Sequence, residues 1–134
     1  MAYIVGVGLG LFVFVFARVV GLARERGFYP TVLAVVATYY GLFAVMGGSP
    51  EAIIAESTVA ALFFAVTAIG FKRNLWIVAA GLAAHGLFDA IHGHVITNPG
   101  MPEWWPVFCG TIDVVLGVGL AWLLLQNKVC AAAH

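Results

Sequence analysis

The stretch LWIVAAGLAAHGLFDAIHGHVI, Leu75 to Ile96, decides the fold. It contains no Lys or Arg, and its length is close to the roughly 20 residues a helix needs to cross a hydrocarbon core. Lys72-Arg73-Asn74 closes it on one side and Asn98-Pro99-Gly100-Met101-Pro102-Glu103 on the other. Working outward, similar punctuation recurs at Arg24-Glu25-Arg26-Gly27, at Gly47-Gly48-Ser49-Pro50 and at Gln126-Asn127-Lys128. The breaks leave apolar stretches at about 3–23, 30–47, 51–71, 75–96 and 105–126. The expectation is an all-α, polytopic transmembrane bundle of five helices that forms a single integral membrane domain over residues 1–134.

Composition excludes the alternatives. Of the 134 residues 63% are hydrophobic and 9% charged, against the roughly 25% charged residues of a soluble domain. The mean hydropathy is +1.07. Six Lys and Arg balance six Asp and Glu, so there is no basic field to attract nucleic acid. That formal neutrality is a sum over both sides of a membrane. Arg18, Arg24, Arg26, Lys72, Arg73 and Lys128 all fall at the first loop, the third loop or the tail, which a five-span path places together. The positive-inside rule then puts the N-terminus outside and the C-terminus in the cytoplasm. With Glu25 the inner side sums to about plus five, and Glu51, Glu56, Asp89, Glu103 and Asp113 give minus five toward the outside.

Local signals agree with this frame. Ser49-Pro50-Glu51 reads as an N-cap, a proline at the first helical position and an acid favoured by the helix dipole. Pro30 and Pro106 stand where a helix can begin without losing a hydrogen bond. Trp104 and Trp105 mark the outer entrance of the fifth span, Trp76 and Trp122 the cytoplasmic ends of the fourth and fifth, and Arg18 can snorkel as an anchor. Met1-Ala2-Tyr3 lacks the positive n-region of a cleaved signal, so the first span is expected to be retained.

Three acids lie within spans: Glu56, Asp89 and Asp113. Each costs a few kcal/mol at a helix centre unless partnered, by about 2.5–3.5 kcal/mol on insertion scales. His85, Asp89 and His92 stand at i, i+4 and i+7 and share one helical face, while His94 projects away unless Gly93 breaks the helix. From the rise per residue, Glu56 and His92 lie about 6–8 Å from the outer end of their spans, Asp89 and Asp113 about 11–13 Å and His85 about 17 Å. Three helices running in different directions therefore bring their acids to one level.

Two imidazoles and three carboxylates at one level suit a divalent metal, zinc first, with iron or manganese as alternatives. The expected ligands are His85, Asp89, His92 and Asp113. Glu56 is the expected catalytic residue, as the base that activates water, or else a further ligand. Cys109 precedes Asp113 by one turn and is the weaker candidate, because an isolated membrane cysteine is commonly just a small apolar residue. Two other readings of the same residues stay open, a proton or ion pathway and a purely structural polar cluster.

The remaining features have plainer readings. Gly6-Val7-Gly8-Leu9-Gly10 has no strand before it, so Gly6 and Gly10 are expected to serve close helix packing, as is the run Ala79 to Ala84. Tyr39 and Tyr40 could reach the polar level, though packing is the expected role. Cys109 and Cys130 should lie on opposite sides and remain unpaired. His134 is expected to be solvated.

His85-x3-Asp89-x2-His92, a Pro-rich loop and then Cys109-x3-Asp113 together resemble a group of small bacterial integral membrane proteins classed as a domain of unknown function. The resemblance lies in residues 75–120 and implies the motif rather than a reaction. A more distant chemical analogy is to membrane hydrolases of the alkaline ceramidase and adiponectin-receptor type, which hold zinc with intramembrane His and use an Asp. Those have seven helices and a terminal H-x3-H that this chain lacks. The expected function is a metal-dependent membrane hydrolase acting on a lipid or amphipathic substrate, in the cytoplasmic membrane with its site toward the outer face. Transport of protons or a divalent cation and a role as accessory subunit of a membrane complex are the alternatives. Membrane lipids and further copies of the chain in a homo-oligomer are the expected partners.

Overall fold

A computed structural model describes residues 1–133, and in them five helices: α1 (Ala2–Val20), α2 (Phe28–Gly47), α3 (Pro50–Lys72), α4 (Leu75–Val95) and α5 (Trp105–Leu125). Each is long and apolar enough to cross a membrane. A short 3-10 turn, Leu22–Arg24, follows α1, and the described residues contain no strand beyond an isolated bridge between Asn74 and Ala132. His134 lies outside the described residues. The outward faces carry large apolar side chains such as Ile54, Leu62, Leu87 and Val118, each more than half exposed, a surface suited to lipid.

The helix ends follow from their chemistry. Gly21 takes φ 91°, which stops α1 three residues short of the expected end, because only glycine enters that region without strain. The second helix begins at Phe28, so Pro30 is its third residue, where a missing N–H breaks no intrahelical bond. Ser49 Oγ accepts from Ala52 N at 3.2 Å ahead of Pro50, and Asn74 Oδ1 caps α4 through Trp76 N at 2.9 Å.

Register is visible in the close contacts. On α1 and α5, a side chain at Gly6 would meet Thr111 and Phe108, one at Gly10 would meet Val115, and Phe14 packs edge-on to Trp122, so the two helices run parallel. On α4 and α5, Gly86 lies against Gly110 and Gly117 against Leu82, so these run antiparallel. The expected close packing through Gly6, Gly10 and the small residues of 79–84 is therefore present. Without Cβ atoms the backbones approach closely enough for dispersion to hold helices that the lipid does not force together.

The helices form an open arc in the order α1, α5, α4, α3, α2, with α2 turned inward to touch α4 and α5. Among the five helices, the first makes its close backbone approach to α5. One end of the bundle gathers the basic loops: Arg26 donates to the carbonyls of Phe71, Cys130 and Ala131, and Leu75 N donates to Ala131 O at 2.8 Å. The half of the core nearest that end is apolar, built on Leu33, Leu75, Val78, Leu82, Leu116, Leu120 and Leu123. At the other end the 98–103 loop presses onto α2, where the Gly47 and Gly100 backbones meet with no room for a Cβ on either. Every buried acid and histidine lies in the half below that loop.

Candidate metal centre and its polar surroundings

Glycine lets α4 and α5 touch at Gly86 and Gly110, and this contact brings the side chains one turn away face to face. His85 Nδ1 lies 2.6 Å from Asp113 Oδ2 and 3.6 Å from Asp89 Oδ2, and Cys109 Sγ donates to Asp113 Oδ2 at 3.9 Å. One ligand atom from each of His85, Asp89, Cys109 and Asp113 can be chosen so that all lie within 4.8 Å of one another, and all four residues are buried. This is a group that could hold a metal ion. In the described state a proton holds His85 to Asp113. Two ligands of one tetrahedral ion stand roughly 3.5 Å apart, so an ion would replace that proton and open the pair by about 1 Å.

His92, expected among the ligands, is not in that group and makes a different pair. Its Nε2 lies 2.6 Å from Glu56 Oε1, which also accepts from Asn98 Nδ2 at 2.9 Å. With Glu56 as carboxylate, Nε2 is the donor of this pair, and Nδ1 is buried without a hydrogen-bond partner. Asn98 further donates to the Tyr40 carbonyl at 3.0 Å, which ties the 98–103 loop to α2 and α3 together. Glu56 is thus placed beside His92, and the contacts of its carboxylate are to His92 and Asn98.

Tyr40 joins the two sets. Its hydroxyl donates to Asp89 Oδ1 at 2.5 Å, while its ring stacks on His92. Phe63 of α3 packs edge-on against His85, and Phe88 of α4 edge-on against His92. The polar core remains short of partners. Asp89 Oδ2 and Asp113 Oδ1 in the first set, and Glu56 Oε2, His92 Nδ1 and Asn98 Oδ1 in the second, are buried without a hydrogen-bond partner. Buried polar atoms are ordinarily satisfied, so five exceptions in one place mark where water, an ion or a substrate belongs.

Two apolar clefts flank α1 and lead inward. One, of about 630 Å3, lies between α1 and α4 over α5, with Asp89 and His94 among its lining and Gly86 and Gly110 in its wall. The other, of about 420 Å3, lies between α1 and α2 and includes Cys109. His94 sits on regular helix and is exposed at the first cleft, so Gly93 does not break α4. Tyr39 packs on Trp105, the role expected of it. Cys109 and Cys130 are both free, one buried and one exposed.

Sequence reading singled out His85, Asp89 and Asp113, which do come together, and ranked lower Cys109, which lies in the same group. It ranked Tyr40 as packing and passed over Asn98, whose place in an Asn-Pro-Gly turn looks like loop chemistry. The hydroxyl of Tyr40 near the middle of an apolar span was the signal available, shared with Tyr39 beside it. The chain matches no protein-family model, no curated protein and no solved structure.

Proposed function

We propose that the protein is a membrane-embedded, metal-dependent hydrolase acting on a lipid or amphipathic substrate, with its metal held by His85, Asp89, Cys109 and Asp113. The observation that carries this reading is the buried four-residue group itself, in which Asp89 Oδ2 and Asp113 Oδ1 have no hydrogen-bond partner. Imidazole with thiolate and carboxylate is a donor set for zinc or iron, and the thiolate disfavours manganese. A divalent ion there supplies Lewis acidity, which polarises an ester or amide carbonyl and makes water a usable nucleophile at neutral pH.

The chain's own residues supply the rest. Glu56 orients His92 through Nε2 and leaves Nδ1 as a base, the arrangement by which carboxylate and imidazole pairs move protons. Tyr40 holds Asp89 from the opposite side and fixes its angle. The cleft between α1 and α4 admits an acyl chain from the bilayer and brings its polar end to Asp89. The 98–103 loop shields the site from bulk water. On the charge distribution we place the N-terminus outside and the site toward the outer face of the cytoplasmic membrane.

Ion transport is the weaker reading, since a pathway needs polar groups in both halves and the half around Leu75, Leu82, Leu116 and Leu120 is apolar and buried. The test is elemental analysis of protein purified without chelator. About one zinc or iron per chain is expected, falling below a tenth in His85→Ala, with chelator-sensitive release of fatty acid from ester or amide lipids in proteoliposomes. Folded wild-type protein that holds no metal after incubation with zinc or iron would sink the reading.

A further inference from the structure

At the opposite end of the bundle from the polar core, Arg18, Arg24 and Lys128 converge on one small cavity of about 80 Å3, floored by Ala23 and Leu123. The three come from α1, from the turn after it and from the tail after α5, so tertiary structure alone unites them. All three are exposed. Among the described residues, no carboxylate lies within ion-pairing distance of any of them. Arg26 is different, because its guanidinium is committed to the Phe71, Cys130 and Ala131 carbonyls.

Like charges gather this way only at a cost, through mutual repulsion that a bound anion relieves. The cavity has the volume of roughly two to three waters, the scale of one phosphate group and too small for a nucleotide. What adjoins it identifies the rest of the ligand. The Arg18 guanidinium lies over the Trp122 ring, 4.9 Å from its centroid, which holds it against the bundle. Trp122 in turn ends an apolar groove of about 430 Å3 between α1 and α5, lined by Leu11, Phe14, Val118 and Gly119. A cationic pocket therefore stands at the head of a hydrocarbon groove, at the end of the helices where a bilayer places its phosphates.

We propose that Arg18, Arg24 and Lys128 form a binding site for the phosphate of an anionic phospholipid, whose acyl chain lies along the α1 and α5 groove. The site is separate from the metal group and does not depend on the hydrolase reading. Basic residues near an anionic bilayer surface contribute about fivefold each in affinity at low salt, so removing two should cost roughly 25-fold.

The experiment is native mass spectrometry of the full chain released from mild detergent with equal amounts of phosphatidylglycerol and phosphatidylcholine. Wild type is expected to retain phosphatidylglycerol at least fivefold over phosphatidylcholine. Arg24→Gln with Lys128→Gln should abolish that preference while metal content and thermal unfolding stay as in wild type; both side chains are exposed, so the fold is not at stake. Val118→Trp, which fills the groove, should lower retention of the lipid without touching a charge. Equal retention of the two lipids by wild type would overturn the proposal. So would displacement of phosphatidylglycerol by millimolar inorganic phosphate, which would assign the pocket to a free anion, or full retention by the double variant.

Discussion

The Tyr40 ring lies flat on the His92 imidazole, with centroids 4.0 Å apart and planes 10° from parallel. The same tyrosine reaches Asp89 through its hydroxyl, so one residue of α2 holds both polar sets of α4 in fixed relation. His92 and Asp89 are three residues apart and face the same way, yet they serve different partners, Glu56 on α3 for one and the α5 group for the other.

This division predicts different outcomes for the two histidines. Asp113→Asn should lose bound metal as His85→Ala does. His92→Ala should keep most of its metal and lose turnover by about a hundredfold or more, the scale of a missing general base. Metal analysis alongside lipid hydrolysis separates the cases, and loss of metal in His92→Ala would return that residue to the ligands.

Cys109 is testable by spectroscopy. Cobalt(II) replacing the native ion should show a thiolate charge-transfer band in the near ultraviolet, absent in Cys109→Ser. A wild-type cobalt spectrum without that band would remove the thiolate from the ligand set.

Tyr40→Phe removes the donor to Asp89 and leaves a buried carboxylate oxygen unpaired. Interhelical hydrogen bonds in membranes average about 0.6 kcal/mol, and an orphaned buried group pushes the cost up, so about 1–2 kcal/mol of stability should be lost. Unfolding in bicelles measures it, and a change below about 0.3 kcal/mol would mean that water replaces the tyrosine.

The attachment of α1 rests on close approach. Gly6→Leu drives a Cβ to 2.7 Å from the Phe108 carbonyl oxygen and should cost about 2 kcal/mol or more. Gly8 has nothing within 4 Å of where a Cβ would stand, so Gly8→Ala should be neutral or stabilising by up to about 1 kcal/mol. The same unfolding assay compares them, and equal effects would contradict this packing.

Orientation can be read from Cys130, which is exposed at the basic end, while Cys109 is buried. A membrane-impermeant maleimide should label Cys130 only in inside-out vesicles, and Cys109 in neither kind. Labelling from the outer side of intact cells would reverse the assigned direction.

The spans and the residues worth examining were legible in order along the chain. Apolar runs of about 20 residues between Gly, Pro and charge breaks have one reading in a chain so poor in polar groups, since backbone amides in lipid must bond within their own helix. Intramembrane acids stand out for the same energetic reason, and Gly6 and Gly10 signalled where α1 would lie close. Periodicity also put His85, Asp89 and His92 on one face, but a face is wider than a site. The expected ligand set assumed that residues on one stripe share one partner.

What the sequence by itself determined is the number of helices, their limits to within about three residues, and the end of the bundle at which charge accumulates. These depend on local hydrogen bonding and transfer from water, which neighbours in the chain decide. Only the tertiary structure decided that Cys109 joins His85, Asp89 and Asp113, that His92 turns to Glu56 and Asn98, and that Tyr40 bridges the two. Those pairings depend on how far each helix is rotated and how closely α4 and α5 approach at Gly86 and Gly110. Packing between helices sets rotation and distance, and no single helix carries that information.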